Sequence, residues 1–317
     1  MVSRRILRIK IMQALYAFFT HDGESTINKS EKELHFSIQK THDLYHYLLI
    51  LIIDLVDFAN SRMELAMQKR IPTYEDLHPN LKFIHNKVIE QIRTNDNLRK
   101  YLQEHKLSWI NYPELIRGLY NEVIESPEYV NYIETSESSY AEDKNFVCLI
   151  FTKIMTRYEP LYANLEEQSI YWNDEIDYII GIIIKTLKKF KEEDGENSKL
   201  MPLFKSTSDE DFSKILLRKV ILNHKEYREM IEKYSKNWDI DRIAFVDILL
   251  MQMAIAEVIE IQSIPIKVTL NEYLELSKFY STPKSNVFIN GILDKIIIQL
   301  KEENKINKQG RGLMGDD

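Results

Sequence analysis

Apolar residues in this chain recur at helical spacing over long stretches that contain few helix breakers. The 317-residue sequence has only eight Gly and eight Pro, the residues that interrupt helices most strongly. Near the start, apolar side chains at i, i+4, i+7, i+8 and i+11 form one stripe; they are Leu7, Ile11, Ala14, Leu15 and Phe18. No alternation of apolar and polar residues is long enough to predict a sheet. The sequence therefore predicts an all-α protein.

The spacing also predicts where the helices begin and end. Ser3 is the expected N-cap of a first helix that ends near Thr20. Further helices are predicted over 42–69, 80–105, 113–125, 141–157, 160–192, 208–235, 239–262, 267–280 and 284–303. An acidic linker is predicted over 192–202. The tail over 305–317, with three Gly and little apolar content, is predicted to be disordered.

The last predicted helix carries two local signals. Thr282 can cap it, and Pro283 suits its first position because the missing N–H is not needed there. Asn290-Gly291 normally indicates a hairpin turn, but apolar residues continue at i+4 across the pair, so a helix is predicted. A glycine inside a helix costs about 1 kcal/mol. We expect the compensating gain to be close approach of a neighbouring helix.

Positive charge is concentrated at one end of an acidic chain. The net charge is −7, which argues against indiscriminate binding of nucleic acid. Residues 1–20 nevertheless carry four cations and no acidic residue: Arg4, Arg5, Arg8 and Lys10. Arginine pairs bidentately with phosphate and stacks on bases. Composition leaves two interpretations open, an RNA-contacting helix or a solvated basic flank beside a core stripe.

Several functional classes find little support in the sequence. No uninterrupted apolar stretch approaches the roughly 18 residues of a membrane span, and the basic residues of the N-terminal helix interrupt any signal peptide. The single cysteine, Cys148, excludes an internal disulfide framework. No glycine-rich phosphate loop and no Gly-x-Ser-x-Gly elbow occur. The prediction is a cytoplasmic protein with no membrane partner, no catalytic activity and no cofactor.

One motif resembles a metal site. His42 and His46 are spaced i, i+4, and Asp43 follows the first histidine, as in a zinc-protease helix with a shorter acid. No third ligand follows at a recognisable spacing. We therefore favour two surface histidines on an amphipathic helix and predict no metal. A metal hydrolase centred on this pair is the alternative.

Three ordered blocks of residues resemble the NusB family of bacterial transcription antitermination factors. The first is Arg4-Arg5, Arg8 and Gln13-Ala14-Leu15-Tyr16; the second is Trp238, Arg242, Asp247, Leu250 and Glu257; the third is Lys267-Val268, Asn271-Glu272 and the run from Phe288 to Lys295. The order and spacing of the blocks are those of the family. The resemblance covers about residues 1–20 and 208–300.

The family resemblance implies an architecture and partners. Residues 1–20 and 208–304 would form two NusB-like three-helix subdomains, with 21–207 as a helical insertion and 305–317 as a tail. The implied partners are boxA-type single-stranded RNA, the small-subunit ribosomal protein NusE and the RNA polymerase elongation complex. The implied function is read-through in ribosomal RNA operons.

The resemblance and the basic cluster together predict specific contact residues. The predicted RNA-binding residues are Arg4, Arg5, Arg8, Lys10, Lys284 and Phe288, and the predicted partner-binding residues are Tyr16 and Glu257. A helical scaffold that acts through the insertion is the alternative function. An RNA methyltransferase with a NusB-like domain is disfavoured because the chain lacks a glycine-rich cofactor loop.

Overall fold

The computed structural model describes residues 2–21, 26–135, 139–235 and 243–314. These residues form helices and no strand, which confirms the predicted all-α class. Two compact units are present. The insertion unit is Gln39–Leu203, and the terminal unit combines Val2–Ile38 with Phe204–Asp317.

In chain order, the α-helices of the described residues are α1 (Arg4–Thr20), α2 (Ile27–Met67), α3 (Tyr74–Leu77), α4 (Lys87–Thr94), α5 (Asp96–His105), α6 (Pro113–Glu125), α7 (Pro127–Glu134), α8 (Tyr140–Leu149), α9 (Glu159–Gln168), α10 (Ile176–Leu187), α11 (Thr207–Tyr234), α12 (Phe245–Glu260), α13 (Ile266–Tyr280) and α14 (Ser285–Glu302). A π-helix, Ile150–Ile154, continues α8, and 3₁₀ turns occupy Met155–Arg157, Glu192–Asn197 and Gly310–Leu313.

Helix α1 forms where the sequence predicts it. The Ser3 side chain accepts a hydrogen bond from the Ile6 backbone N–H at 3.4 Å, and the helix ends at Thr20. Leu7, Ile11 and Leu15 are fully buried where α1 packs against α11 and α12. Burying each such side chain contributes about 1.5–3 kcal/mol, so the apolar stripe holds α1 in the terminal unit.

Helix α12 is the centre of the terminal unit. Every residue from Asp247 to Val258 is buried, and α1, α11, α13 and α14 all pack against this helix. A helix that is buried on all sides has no solvent to satisfy its polar groups. The buried carboxylate near its C-terminal end, Glu257, must therefore find its partners inside the protein.

The insertion unit has its own core, built from α2 and the helices that pack on it. Trp109 stacks on Tyr47 with ring centroids 3.9 Å apart, and its indole N–H donates to the Tyr47 carbonyl at 2.8 Å. By length and apolar content α2 could cross a membrane, but 67% of its most apolar window is buried inside the protein. A core helix of this length passes the same test.

Several helix boundaries in the insertion differ from the predictions. The helix predicted over 80–105 is broken at Asn95, whose side chain accepts from the Leu98 N–H at 3.0 Å and caps α5. The helix predicted over 160–192 is likewise two helices, α9 and α10. Helix α2 begins at Ile27 instead of residue 42, and α7 was not predicted. Periodicity alone does not reveal an internal cap, because a cap leaves the apolar spacing on both sides intact.

The segment predicted as a linker is packed against the insertion unit. The Gln91 side chain donates to the Lys191 carbonyl at 2.9 Å, and the Asn95 side chain donates to the Ser198 carbonyl at 2.8 Å. Met201 at its end is buried. Acidic, glycine-containing sequence predicts exposure, but side chains from distant helices satisfy the backbone here.

The last helix follows the prediction in its interior but not at its start. Asn290 and Gly291 lie within α14, which confirms the helical interpretation of this pair. The helix begins at Ser285, and Thr282 forms a 2.7 Å hydrogen bond with the Ser285 hydroxyl instead of capping the backbone. A Cβ at Gly291 would meet nothing within 4 Å. The expected close approach of another helix is therefore wrong.

Candidate nucleic-acid interface

The basic end of α1 borders an open cavity of about 450 Å³ in the terminal unit. Its charged lining consists of four arginines and one carboxylate: Arg4, Arg5, Arg8, Arg311 and Glu272. The first three arginines come from α1, Glu272 from α13 and Arg311 from the segment after α14. We refer to it as the arginine cavity.

Arg5 is the most accessible of the α1 arginines. Its side chain is 48% exposed, and two of its N–H groups donate to the two oxygens of Glu272, each at 3.0 Å. The hydrogen bond to Glu272 is the main cause of the raised pKa of Arg5. An exposed ion pair of this kind contributes about 0–1 kcal/mol. Arg5 can therefore exchange this carboxylate for a phosphate at little cost.

Arg4 is half-buried and joins α1 to α11. Its Nε donates to Asp209 at 2.9 Å, and its Nη2 donates to the Ser208 hydroxyl at 3.1 Å. The guanidinium also lies over the Phe212 ring, 5.3 Å from the centroid. These three contacts hold Arg4 in place at the rim of the cavity. Part of its charge is already neutralised there by Asp209.

Arg8 is sealed inside the unit by Glu257. Its Nε and Nη2 donate to the two Glu257 oxygens at 2.8 and 2.6 Å, and the two side chains are only 3% and 0% exposed. Thr269 and Tyr273 each donate a hydroxyl to the same carboxylate at 2.9 Å. Burial acts to lower the pKa of Arg8, but the hydrogen bonds and charge of Glu257 outweigh it and the net shift is upward. We refer to these four residues as the Arg8–Glu257 network.

This burial corrects three of the predicted contact residues. Arg8 and Lys10 were expected to face RNA and Glu257 to face a partner protein, yet all three are buried. Arg8 and Glu257 bind each other instead. The sequence did contain a signal for this pair, since Glu257 lies in the otherwise apolar run from Met253 to Ile259 and a buried carboxylate needs a counter-charge.

The remaining predicted residues lie at the other end of α12. Lys284 is exposed and has no side-chain partner among the described residues, and Phe288 is half-buried. Tyr16 is 47% exposed and packs edge-on against Phe245, with centroids 5.5 Å apart. The Ser285 hydroxyl donates to Asp247 at 2.6 Å, which ties the start of α14 to the start of α12. Tyr16, Lys284 and Phe288 therefore belong to one end of the unit.

The structure does not bring the two predicted groups of cations together. Asp247 marks the end of α12 near Lys284, and Glu257 marks the end near Arg8. Ten residues of helix separate them, which is about 15 Å at 1.5 Å per residue. A single phosphate cannot reach both Arg5 and Lys284, so only an extended ligand would contact both.

The segment after α14 joins the arginine cavity, although the sequence predicted it to be disordered. Lys308 is buried and donates to the Ile261 carbonyl at 2.8 Å, and the Gln309 N–H donates to the Gln262 carbonyl at 3.0 Å. We call residues 305–314 the strap; residues 315–317 lie outside the described part of the chain. The low apolar content of this segment does not predict these contacts. Most of them are hydrogen bonds to backbone carbonyls after α12, and they bury little apolar area.

The histidine pair lies in the insertion unit and is buried, so the predicted surface position is wrong. His42 donates through Nε2 to the Met201 carbonyl at 2.8 Å, and His46 donates through Nδ1 to the His42 carbonyl at 2.9 Å. Burial lowers the pKa of both rings, that of His46 to about 3. Among the described residues no group of His, Cys, Asp or Glu could hold a metal ion.

Comparison with known proteins relates the chain to one family. Residues 182–297 match the model of the NusB family. The transcription antitermination protein NusB of Salinibacter ruber is 38% identical over 141 residues, 43% of this chain and 88% of that protein. The protein of the same name from Caldicellulosiruptor saccharolyticus is 38% identical over 134 residues, which cover 42% of this chain and 94% of that protein. The one from Chloroherpeton thalassium is 40% identical over 104 residues, which cover 33% of this chain and 49% of that protein. No solved structure matches the chain.

Proposed function

Because this chain belongs to the NusB family, we propose that it is a transcription antitermination factor that binds boxA-type single-stranded RNA together with NusE. In this role it associates with the RNA polymerase elongation complex in the cytoplasm and promotes read-through in ribosomal RNA operons. It acts by binding and not by catalysis. The observation that supports RNA binding most directly is the arginine cavity on a chain of net charge −7.

The chemistry of the cavity suits a single RNA strand. Proteins hold single-stranded RNA through cations on phosphates and through aromatic or guanidinium planes on splayed bases. Arg5 offers a half-exposed guanidinium, and an exposed ion pair such as the one it forms with Glu272 contributes about 0–1 kcal/mol. A patch of so few cations gives weak and salt-sensitive binding. A second protein such as NusE would extend the surface, which is consistent with function as a heterodimer.

The two ends of α12 then have different roles in the proposal. The arginine cavity contacts phosphates at one end, while Lys284 and Phe288 extend the RNA path at the other. Tyr16, half-exposed beside Phe245, is a candidate contact of the partner protein. The separation of about 15 Å requires an RNA of several nucleotides, so a short oligonucleotide would engage one end only.

The test compares two arginines that have similar exposure and similar ion pairs but lie at different places in the terminal unit. Arg218 pairs bidentately with Glu31 at 2.9 and 3.0 Å, and its side chain is 52% exposed, which closely matches Arg5 with Glu272. We expect Arg5→Ala to weaken binding of a boxA-like RNA about tenfold at low salt. Arg218→Ala should leave the affinity unchanged.

The salt dependence provides a second readout of the same variants. Loss of one phosphate contact should reduce the slope of log affinity against log salt by about 0.7. Binding is measured by fluorescence anisotropy of labelled RNA, with and without purified NusE. Equal affinities for wild type, Arg5→Ala and Arg218→Ala would contradict the proposed site.

A second candidate function is supported by the insertion unit. Apolar side chains around the end of α2 and in α3 are exposed, with Ile71 at 84% and Tyr74 at 76%. Exposed apolar clusters mark protein-binding surfaces. A scaffold role predicts that Ile71→Ser with Tyr74→Ser weakens binding to a purified elongation complex while RNA affinity is retained. Unchanged binding to that complex would count against a scaffold role.

A further inference from the structure

We propose that the strap, residues 305–314, is part of the RNA-binding surface and that Arg311 supplies a cation for a phosphate of the bound strand. This inference rests on the proposed RNA-binding function and names a residue and a segment that the family resemblance does not include. It draws on three observations: how the strap is attached, where it places Arg311, and how the neighbouring arginines are neutralised.

The strap is attached through backbone carbonyls at the C-terminal end of α12. Lys308 is buried and donates to the carbonyls of Ile261 at 2.8 Å and of Glu257 at 3.5 Å. A cation at a helix C-terminus is favourable because the last carbonyls lack partners. The Gln309 N–H donates to the Gln262 carbonyl at 3.0 Å. The strap is therefore held where α12 ends, next to the arginine cavity.

Glycine is required at two positions for the strap to follow this path. Gly310 has a φ of +55°, a left-handed conformation that residues with a Cβ adopt at a cost. Gly312 is buried against the chain after α12, and a Cβ there would lie 1.9 Å from the Gln262 carbonyl oxygen. The glycines that made the tail resemble a disordered segment are thus positions where the backbone turns and packs closely.

Arg311 lies between these glycines in the 3₁₀ turn Gly310–Leu313 and lines the arginine cavity. Its side chain is exposed, and within the described part of the chain it has no ion pair or hydrogen bond. The three α1 arginines of the cavity all have carboxylate partners: Arg4 has Asp209, Arg5 has Glu272 and Arg8 has Glu257.

This difference makes Arg311 the cavity arginine best suited to phosphate. An arginine that is already paired must give up a carboxylate before it binds phosphate, whereas no carboxylate among residues 2–21, 26–135, 139–235 and 243–314 competes for Arg311. Its guanidinium can present two parallel N–H groups to a phosphate, which a lysine cannot do. The strap therefore supplies the cavity arginine that has no carboxylate partner among the described residues.

The experiment separates the charge of Arg311 from its position. Arg311→Ala removes the charge, whereas Gly312→Val keeps the charge but prevents the strap from docking. Both variants should bind a boxA-like single-stranded RNA about tenfold more weakly than wild type, with a salt slope reduced by about 0.7. Arg311→Lys should retain the wild-type slope. Arg218→Ala, which removes an exposed arginine outside the strap and the arginine cavity, should retain wild-type affinity.

Thermal unfolding of each variant controls for folding. Arg311 is exposed, so Arg311→Ala should unfold at the wild-type temperature, and a loss of RNA affinity cannot then be a loss of structure. Wild-type affinity and slope in Arg311→Ala, alongside weakened binding in Arg5→Ala, would overturn the role of the strap and leave the proposed function intact. Absence of binding in the wild-type protein with NusE would instead overturn the proposed function itself.

Discussion

Replacing Glu257 with Gln removes one charge from a pair that is sealed inside the terminal unit. The guanidinium of Arg8 would remain, 3% exposed, with only a longer contact of 3.5 Å from its Nη1 to the Glu272 carboxylate. An amide can accept fewer of the four hydrogen bonds that the two Glu257 oxygens now accept from Arg8, Thr269 and Tyr273. Breaking a buried pair by removing one partner costs about 3–5 kcal/mol.

This free energy translates into a measurable shift of the unfolding transition. For a unit of roughly 150 residues, 1 kcal/mol shifts the midpoint temperature by about 2–4 °C, so Glu257→Gln should lower it by roughly 6–20 °C. The free energy of unfolding is measured from urea titrations followed by far-UV circular dichroism. A loss below about 1 kcal/mol would show that the pair is solvated and would refute the buried arrangement.

A double variant separates the structural role of Arg8 from an RNA contact. Arg8→Met with Glu257→Met removes both charges and keeps comparable volume, and such replacements are often close to neutral. Two hydroxyls, those of Thr269 and Tyr273, would lose their acceptor at about 1 kcal/mol each. We expect the double variant to be more stable than Glu257→Gln alone and to bind RNA within about twofold of wild type. A folded double variant that binds RNA tenfold more weakly than wild type would show that Arg8 does contact RNA.

Four further predictions test other parts of the molecule. Glu272→Gln removes the competitor for Arg5 and should strengthen RNA binding about two- to fivefold in anisotropy assays; weaker binding would count against the exchange of partners. Lys284→Glu should weaken RNA binding more than Lys284→Ala, because it adds repulsion to the loss of a phosphate contact. Gly291→Ala should raise the free energy of unfolding by about 1 kcal/mol in urea titrations, since open space surrounds this helical glycine. Burial lowers the pKa of His46 from 6.5 to about 3. Between these two pH values the unfolded chain binds a proton at this histidine that the folded protein does not bind. The free energy of unfolding therefore decreases as the pH falls below 6.5. Going from pH 7.5 to 5.5 should cost about 1.4 kcal/mol for this group, and His46→Gln should show a correspondingly smaller loss.

Local signals in the sequence were sufficient for much of the helical framework. The stripe from Leu7 to Phe18, the Ser3 cap and the helix across Asn290-Gly291 depend on residues within a few turns of one another, and all three are present in the structure. The blocks in the last third of the chain that resemble the NusB family could also be recognised from the sequence, because they are short runs of residues at fixed spacing. Internal caps such as Asn95 escaped detection because the apolar period continues across them.

The accessibility of each charged residue was decided only by the tertiary structure. Arg5 and Arg8 are both arginines of the first two turns of one helix, yet one is half-exposed and the other is sealed by Glu257, which lies 249 positions along the chain. The strap was assigned to disorder because its composition offers little apolar area, but it is held by hydrogen bonds to carbonyls after α12. Sequence alone determined the all-α class, most of the helical segments and the family that the chain resembles. Packing between distant helices determined which cations can reach a ligand, because burial depends on neighbours that no local pattern contains.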